Sequence, residues 1–301
     1  VKRFFKRLFG QENHDPKPNV DAATVPLSED AGRNVFTPVK ANIAPPQFLV
    51  GTGQSVGMQR DHNEDAIFSL SAVIAEGVTQ MPFGVFIIAD GMGGHMHGEK
   101  ASGSAARAMG EALVQKLYSA VLGETNEQPS ESLQEIVEAA VVQAQNAVLK
   151  KAPGGGTTLT VALVVGDRIT FAHVGDSRAY IFQPPAGVQL ITQDHSLVNR
   201  LLQLGQLTEE EAAHHPQKNV LYRALGQSEP FKPDIHSMPF PKGAYLLLCS
   251  DGLWGLVSDD EMMEIIQNNP VPTQACAELV ETANLNGGPD NISVILVQYL
   301  A

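Results

Sequence analysis

The sequence predicts an α+β fold in which antiparallel sheets carry helices on their outer sides. Three observations lead there. Short apolar runs of strand length recur through the chain, and the helical patterns arrive in two pairs instead of alternating one by one with those runs. Gly166-Asp167 stands between two of the runs, which is a hairpin signal, and sheets built from consecutive hairpins are antiparallel.

The elements follow in order along 301 residues, 43% of them hydrophobic, enough for one large or two modest domains with a buried core. Residues 1–10, "VKRFFKRLFG", set Lys2, Arg3, Lys6 and Arg7 among Phe4, Phe5, Leu8 and Phe9. At helical spacing this is a short basic amphipathic segment suited to an anionic membrane surface or a partner groove, although ten residues make a marginal helix in water. Up to residue 47 the chain has Pro16, Pro18, Pro26, Pro38, Pro45 and Pro46 with little periodicity, which is linker composition. The ordered domain is therefore expected over 48–301.

Within it, "AIFSL", "FGVFIIA", "TTLTVALVV", "ITFAHV", "RAYIF", "AYLLLCS" and "ISVILVQYL" read as strands. Helices are expected over 97–119 and about 132–151, the second opening with Ser132 and Glu135 in capping-box spacing. Another opens at Ser258 with Glu261, and a last one covers about 272–285. Between them, residues 196–226 hold a short amphipathic helix, a second helix start at Thr208 with Glu211, and a polar loop with two histidines. An insertion of this kind between strands suits a lid over a site.

Composition excludes some functions. A net charge of −13 offers no general attraction for nucleic acid. The two cysteines, Cys249 and Cys276, read as small core residues and not as a disulfide framework. No apolar run has the length of a membrane span, and the N-terminus shows no secretory signal pattern, so the expected location is cytoplasmic. "GTGQSVG" and "GGGTTL" lack the Lys-Ser or Lys-Thr of a phosphate-cradling loop, and Gly154 to Gly156 are read as serving close strand packing.

Chemistry is concentrated in carboxylates at strand ends. Asp65 precedes "AIFSL", Asp90 follows "FGVFIIA", Asp251 follows "AYLLLCS", and Asp290 precedes "ISVILVQYL". Each alone could be a turn residue, since Asp-Gly is a favoured turn pair. Gathered by antiparallel strands they would repel one another, and such a cluster calls for cations. Oxygen ligands without a Cys or His cluster select the hard ions Mg²⁺ and Mn²⁺. Two such ions sharing a hydroxide can drive in-line hydrolysis of a phosphate ester. Arg60, in "RDHNEDA", supplies a guanidinium whose fork matches two phosphate oxygens; a surface ion pair with Asp61 is its plainer role.

As a set and in this order, "RDHNEDA", "IIADGMGGHMHGEKAS", "GGTTLTVALV", "HVGDSRAY", "DHSLV", "LLLCSDGLWG" and "GGPDNISVILV" resemble the motifs of the PP2C-like (PPM) metal-dependent protein serine/threonine phosphatases, over about Phe48 to Leu300. The resemblance implies a four-layer αββα sandwich, two central antiparallel sheets flanked by helix pairs. It also implies Mn²⁺ or Mg²⁺, with Asp65, Asp90 and Asp251 as direct ligands, Asp290 on one ion, Gly91 giving its carbonyl oxygen and Glu64 acting through water. Arg60 resembles the family's phosphate-binding arginine, and Asp176 the aspartate that supports a third, weaker ion with Asp251 in bacterial members. Met92 stands where many eukaryotic members carry a histidine proposed as general acid, which places the chain with the bacterial branch; His95 and His97 read as ordinary loop residues. Residues 196–226 resemble the family's flap. The partners implied are phosphoprotein substrates and a Ser/Thr kinase whose action is reversed, with the enzyme a monomer. A non-catalytic module would have lost ligands, and every expected carboxylate is present.

Overall fold

Strands that read as unbroken apolar runs are expected where both faces of a sheet are covered, and the computed structural model bears this out. It describes residues 45–76, 79–93, 96–121, 131–184, 186–227 and 231–300. The basic segment 1–10, most of the linker and His95 lie outside the described residues.

β1 (Gln47–Ser55) opens the domain one residue before Phe48, followed by β2 (Ala66–Glu76), β3 (Thr79–Ala89) and the two-residue β4 (Gly91–Met92). Helices α1 (Met96–Val121) and α2 (Leu133–Lys151) come next, then β5 (Gly156–Thr157), β6 (Leu159–Val165), β7 (Arg168–Val174), β8 (Arg178–Gln183) and β9 (Gly187–Leu190). Short helices α3 (Leu197–Gln203) and α4 (Glu209–Ala213) form the insertion. The chain closes with β10 (Asp234–Pro239), β11 (Tyr245–Cys249), α5 (Asp251–Trp254), α6 (Asp259–Asn268), α7 (Pro272–Leu285) and β12 (Ile292–Leu300).

Two five-stranded sheets result, in the orders β1-β12-β11-β8-β9 and β10-β7-β6-β3-β2. Their strand pairs are antiparallel. The strand period of two divides the core into three apolar layers. Val85, Ile87, Val161 and Leu163 face α1 and α2, while Phe86, Ile88, Ala162 and Val164 face the other sheet. In β12, Ile295 and Val297 meet that same inter-sheet layer, whereas Val294 and Leu296 face α6 and α7 with Cys249 and Cys276. The αββα sandwich is thus written in the alternation of each strand, and both cysteines are free and buried.

Local signals hold at several ends. Glu135 N–H donates to Ser132 Oγ at 3.3 Å and Ser132 N–H to Glu135 Oε2 at 2.6 Å, a complete capping box. Thr208 and Glu211 repeat it. Gly166 turns the β6–β7 hairpin at φ 64°, a left-handed conformation that glycine adopts without strain.

Three readings need correction. Asp251-Gly252 does not simply end a strand: Asp251 begins the single-turn α5. His97 lies in the first turn of α1, not in a loop. Of the three glycines read as packing residues, Gly155 and Gly156 qualify, since an added methyl carbon would lie 2.6 Å from the His97 carbonyl oxygen and 3.1 Å from Met92 Cγ. Gly154 has open space and is instead needed for its positive φ of 83°.

Candidate metal centre

At one end of the sandwich the two sheets deliver their acidic strand ends to a cleft of about 380 Å³. Its lining includes Arg60, Glu64, Asp90, Gly91, Asp176, Asp251 and Asp290. Asp65 stands beside it, joined across the sheets by Ser250, whose hydroxyl donates to Asp65 Oδ2 at 2.9 Å. Asp90 and Asp65 come from the β2–β3 sheet; Asp251, Asp290 and Asp176 come from ends of strands in, or leading into, the other. The residues predicted from strand ends are therefore brought together.

Each is fixed through its backbone. The Asp90 carbonyl accepts from Thr158 N–H and Thr157 Oγ1, both at 2.8 Å, and Asp90 N–H donates to Thr158 Oγ1 at 2.9 Å. Asn291 staples the Arg60 loop to β12: its Oδ1 accepts from Glu64 N–H at 2.8 Å, and its Nδ2 donates to the carbonyls of Val56 and His62, both at 2.9 Å. Gly252 lets α5 reach this junction, because a methyl carbon there would lie 2.1 Å from the Asn291 carbonyl oxygen. At Gly91 the same carbon would lie 2.5 Å from the Glu64 carbonyl oxygen, so only glycine keeps the backbone in the cleft.

Asp176 sits on the β7–β8 turn, and its carbonyl accepts from Trp254 Nε1 at 3.0 Å. The Arg178 guanidinium covers that indole at 3.6 Å from the ring centroid. Arg178 in turn forks onto Asp194 at 3.0 and 2.8 Å. Arg60, 51% exposed, pairs with Asp290 Oδ2 at 2.7 Å and not with the Asp61 considered from sequence. From the insertion, Asn219 and Leu221 reach the cleft wall. His62 lies there too, its Nε2 3.0 Å from Glu64 Oε1, with its pKa raised by the Asp61 carboxylate and then by Glu64.

The carboxylates are electrostatically crowded. Burial, with the charges of Asp251 and Asp290, pushes Asp65 up to about 7 against the hydrogen bonds of Ser293 and Ser250. Burial and Asp290 push Asp251 up to about 6, and burial, Asp251 and Asp194 push Asp176 up to about 8. Asp90 is held well above the carboxylate range by burial and by four neighbouring aspartates. Among the described residues, Asp65 Oδ1 and Asp251 Oδ1 are the buried side-chain polar atoms that have no hydrogen-bond partner. Sealed, unpartnered carboxylate oxygens are costly, and a bound cation removes both the cost and the repulsion.

The donor set fits hard cations: all oxygen, with open cleft space for water. Among the described residues no three acidic, His or Cys side chains stand grouped around one point.

Sequence reasoning overlooked Asn291, Ser250, Trp254, Arg178, Asp194 and His62. All six lie inside quoted motifs, but a backbone staple or a supporting ion pair is set by tertiary approach and leaves no periodic trace.

Comparison with known proteins agrees with this geometry. The sequence profile of the protein phosphatase 2C family matches residues 52–286. The serine/threonine phosphatase stp of Listeria innocua is 37% identical over 242 residues, 80% of this chain and 92% of that protein. The Mycobacterium tuberculosis serine/threonine phosphatase PstP/Ppp superposes with a TM-score of 0.68 at 31% identity, over 83% of this chain and 98% of that one. The catalytic domain of PstP in complex with two manganese ions gives a TM-score of 0.67 at 29% identity, over 84% of this chain and 99% of that one.

Proposed function

The chain belongs to the protein phosphatase 2C family, and from that membership we propose that it hydrolyses phosphoserine and phosphothreonine in proteins at the acidic cleft, with Mn²⁺ or Mg²⁺ as cofactor. It is a protein serine/threonine phosphatase of the bacterial kind. The observation that carries the site assignment is the pair of sealed, unpartnered oxygens on Asp65 and Asp251, the first beside and the second lining a cleft that Arg60 borders.

Asp65, Asp90 and Asp251 would hold two ions, joined by Asp290 and the Gly91 carbonyl, with Glu64 acting through water and Asp176 supporting a third ion with Asp251. When bound, such a pair lowers the pKa of water and aims it at phosphorus. Arg60 exchanges Asp290 for two phosphate oxygens and orients the ester, which needs a free, forked guanidinium at the rim. Thr157, Thr158 and Asn291 hold the carboxylates in place beforehand, so that little reorganisation is required during reaction. Asn219 and Leu221, on the flap assigned to 196–226, border the substrate. Positioning must supply much of the rate, because phosphate monoesters hydrolyse extremely slowly unaided.

The reading extends to a monomeric, cytoplasmic enzyme that reverses a Ser/Thr kinase. A phosphopeptide release assay tests its core: phosphate appears with Mn²⁺, stops with chelator and returns when Mn²⁺ is restored. A preparation that binds metal and releases nothing would point to a non-catalytic module instead.

A further inference from the structure

Away from the acidic cleft, a groove of about 520 Å³ lies between the end of β1 and the end of α7. Thr52, Gln54, Met58, Val280, Glu281 and Leu285 line it. Its floor is set locally: at Gly51 the strand touches α7 so closely that a methyl carbon would lie 2.2 Å from the Pro272 carbonyl oxygen, and at the other end Asn284 Nδ2 donates to Ser55 Oγ at 3.1 Å. Large apolar side chains flank the opening, with Leu285 80% and Met58 69% exposed. Isolated exposed apolar residues are ordinary, and these two differ in bordering one groove, where an apolar side chain could cover both.

Charge selects the occupant. After Lys242 the chain contains no Lys or Arg, and the α6–α7 layer displays Asp259, Asp260, Glu261, Glu264, Glu278 and Glu281 to solvent. The opposite layer, α1 and α2, mixes both signs, with Lys100, Arg107, Lys116, Lys150 and Lys151 among its acids. A partner for the groove should be apolar on one side and cationic on the other. Residues 1–10 of this same chain have that pattern: Phe5, Leu8 and Phe9 fall at i, i+3 and i+4, with Lys2, Arg3, Lys6 and Arg7 between and before them and no acid.

Reach is favourable as well. For a random coil of about 36 residues, the length from residue 11 to residue 46, the root-mean-square span is roughly 30–36 Å. The groove begins at Thr52, five residues or about 17 Å along β1 from Gln47. A tether that exceeds its span gives an effective concentration on the order of millimolar, so even weak docking is populated. We propose that the basic amphipathic segment 1–10 docks in cis in the groove between β1 and α7, its apolar face on Met58 and Leu285 and its cations on the acidic layer. The docked segment then abuts the loop that leads from Met58 to Arg60.

The chain of residues 1–301 tests this by paired cysteines. Phe5→Cys with Leu285→Cys is compared with Phe5→Cys and Leu149→Cys, Leu149 being an exposed residue of α2 on the opposite outer layer; the native cysteines are buried and do not compete. The proposal expects the Leu285 pair to close an intramolecular disulfide at least tenfold faster under mild oxidation, and Glu278→Lys with Glu281→Lys to remove that advantage. It also expects amide protection over residues 281–288 to fall in Phe5→Asp/Phe9→Asp, a readout that needs no engineered thiol. Equal closure of both pairs, disulfide-linked dimers in place of the internal loop, or unchanged protection would overturn it. So would co-sedimentation with anionic phospholipid vesicles alongside equal closure, which would assign the segment to a membrane surface.

Discussion

Asp194 and Asp251 both follow closely on strands of the same sheet, yet the protein treats them in opposite ways. Asp194 receives both arms of Arg178, at 3.0 and 2.8 Å, and Arg178 is itself covered by Trp254. Asp234 is likewise held by His195 and Arg223, at 3.1 and 2.8 Å. Asp251 and its neighbour Asp65 each keep one sealed oxygen with no partner. A fold that neutralises one acidic group from its own side chains and leaves oxygens of the other without a partner treats the two as different in kind. On the proposed reading the unpaired acids are the place for cations, while the paired ones serve as framework.

The largest effect should come from removing an unpartnered oxygen. Asp251→Asn is expected to lower phosphopeptide kcat/KM by about 10³, or roughly 4 kcal/mol. Because the amide carries no charge to bury, the metal-stripped variant should melt at or above the wild-type temperature. Undiminished turnover at limiting Mn²⁺, or a collapsed fold, would erase the distinction between the two kinds of acid.

Framework acids should behave in reverse. Arg178→Ala strips the partner from Asp194 and is expected to destabilise the chain by about 3 kcal/mol in urea denaturation. The loss should be the same with and without Mn²⁺. A deficit that Mn²⁺ abolishes would move Asp194 into the metal-binding set.

The smallest effect, on pH, sharpens the contrast through its sign. Asp65, Asp176 and Asp251 have folded-state values raised from 3.8 to about 7, 8 and 6, so between 3.8 and those values the folded chain binds protons that the unfolded chain does not. Metal-stripped protein should therefore lose stability as pH rises from 5 to 8, and the Mn²⁺-induced rise in Tm should be largest at pH 8. Imidazoles act the other way. Burial, with His195 nearby, lowers His173 to about 3, against the opposing influence of Asp234 and its hydrogen bonds, and burial also lowers His195 despite Asp234. Once Mn²⁺ keeps the cleft carboxylates ionised, stability should decline below pH 6.5, by about 1.4 kcal/mol per pH unit for a histidine that stays neutral when folded. Parallel melting curves with and without Mn²⁺ would contradict both signs.

Central strands were legible because burial on both faces makes them continuous apolar runs, as in β6, β11 and β12. Of the edge strands, β2 was read from "AIFSL", but β9 and β10, "GVQL" and "DIHSMP", were not: they are partly exposed and carry mixed polarity, so no run announces them. Acids at strand ends could be named since Asp after or before an apolar run is visible in one dimension. Their convergence depended on a sheet order the sequence does not spell out. The Arg60–Asp290 pair spans 230 positions and the Asn291 staple a similar distance, and neither residue has a local pattern that points to the other. α5 escaped for a different reason: four residues are too few for a helical period to show.

The most direct test of the account is to titrate Mn²⁺ into the stripped chain, counting bound ions and following phosphoserine-peptide hydrolysis on the same preparation. The account predicts about two tightly bound ions per chain, with turnover that rises as they fill and a site missing in Asp251→Asn. Full turnover before any ion binds, or binding that Asp251→Asn leaves intact, would contradict it.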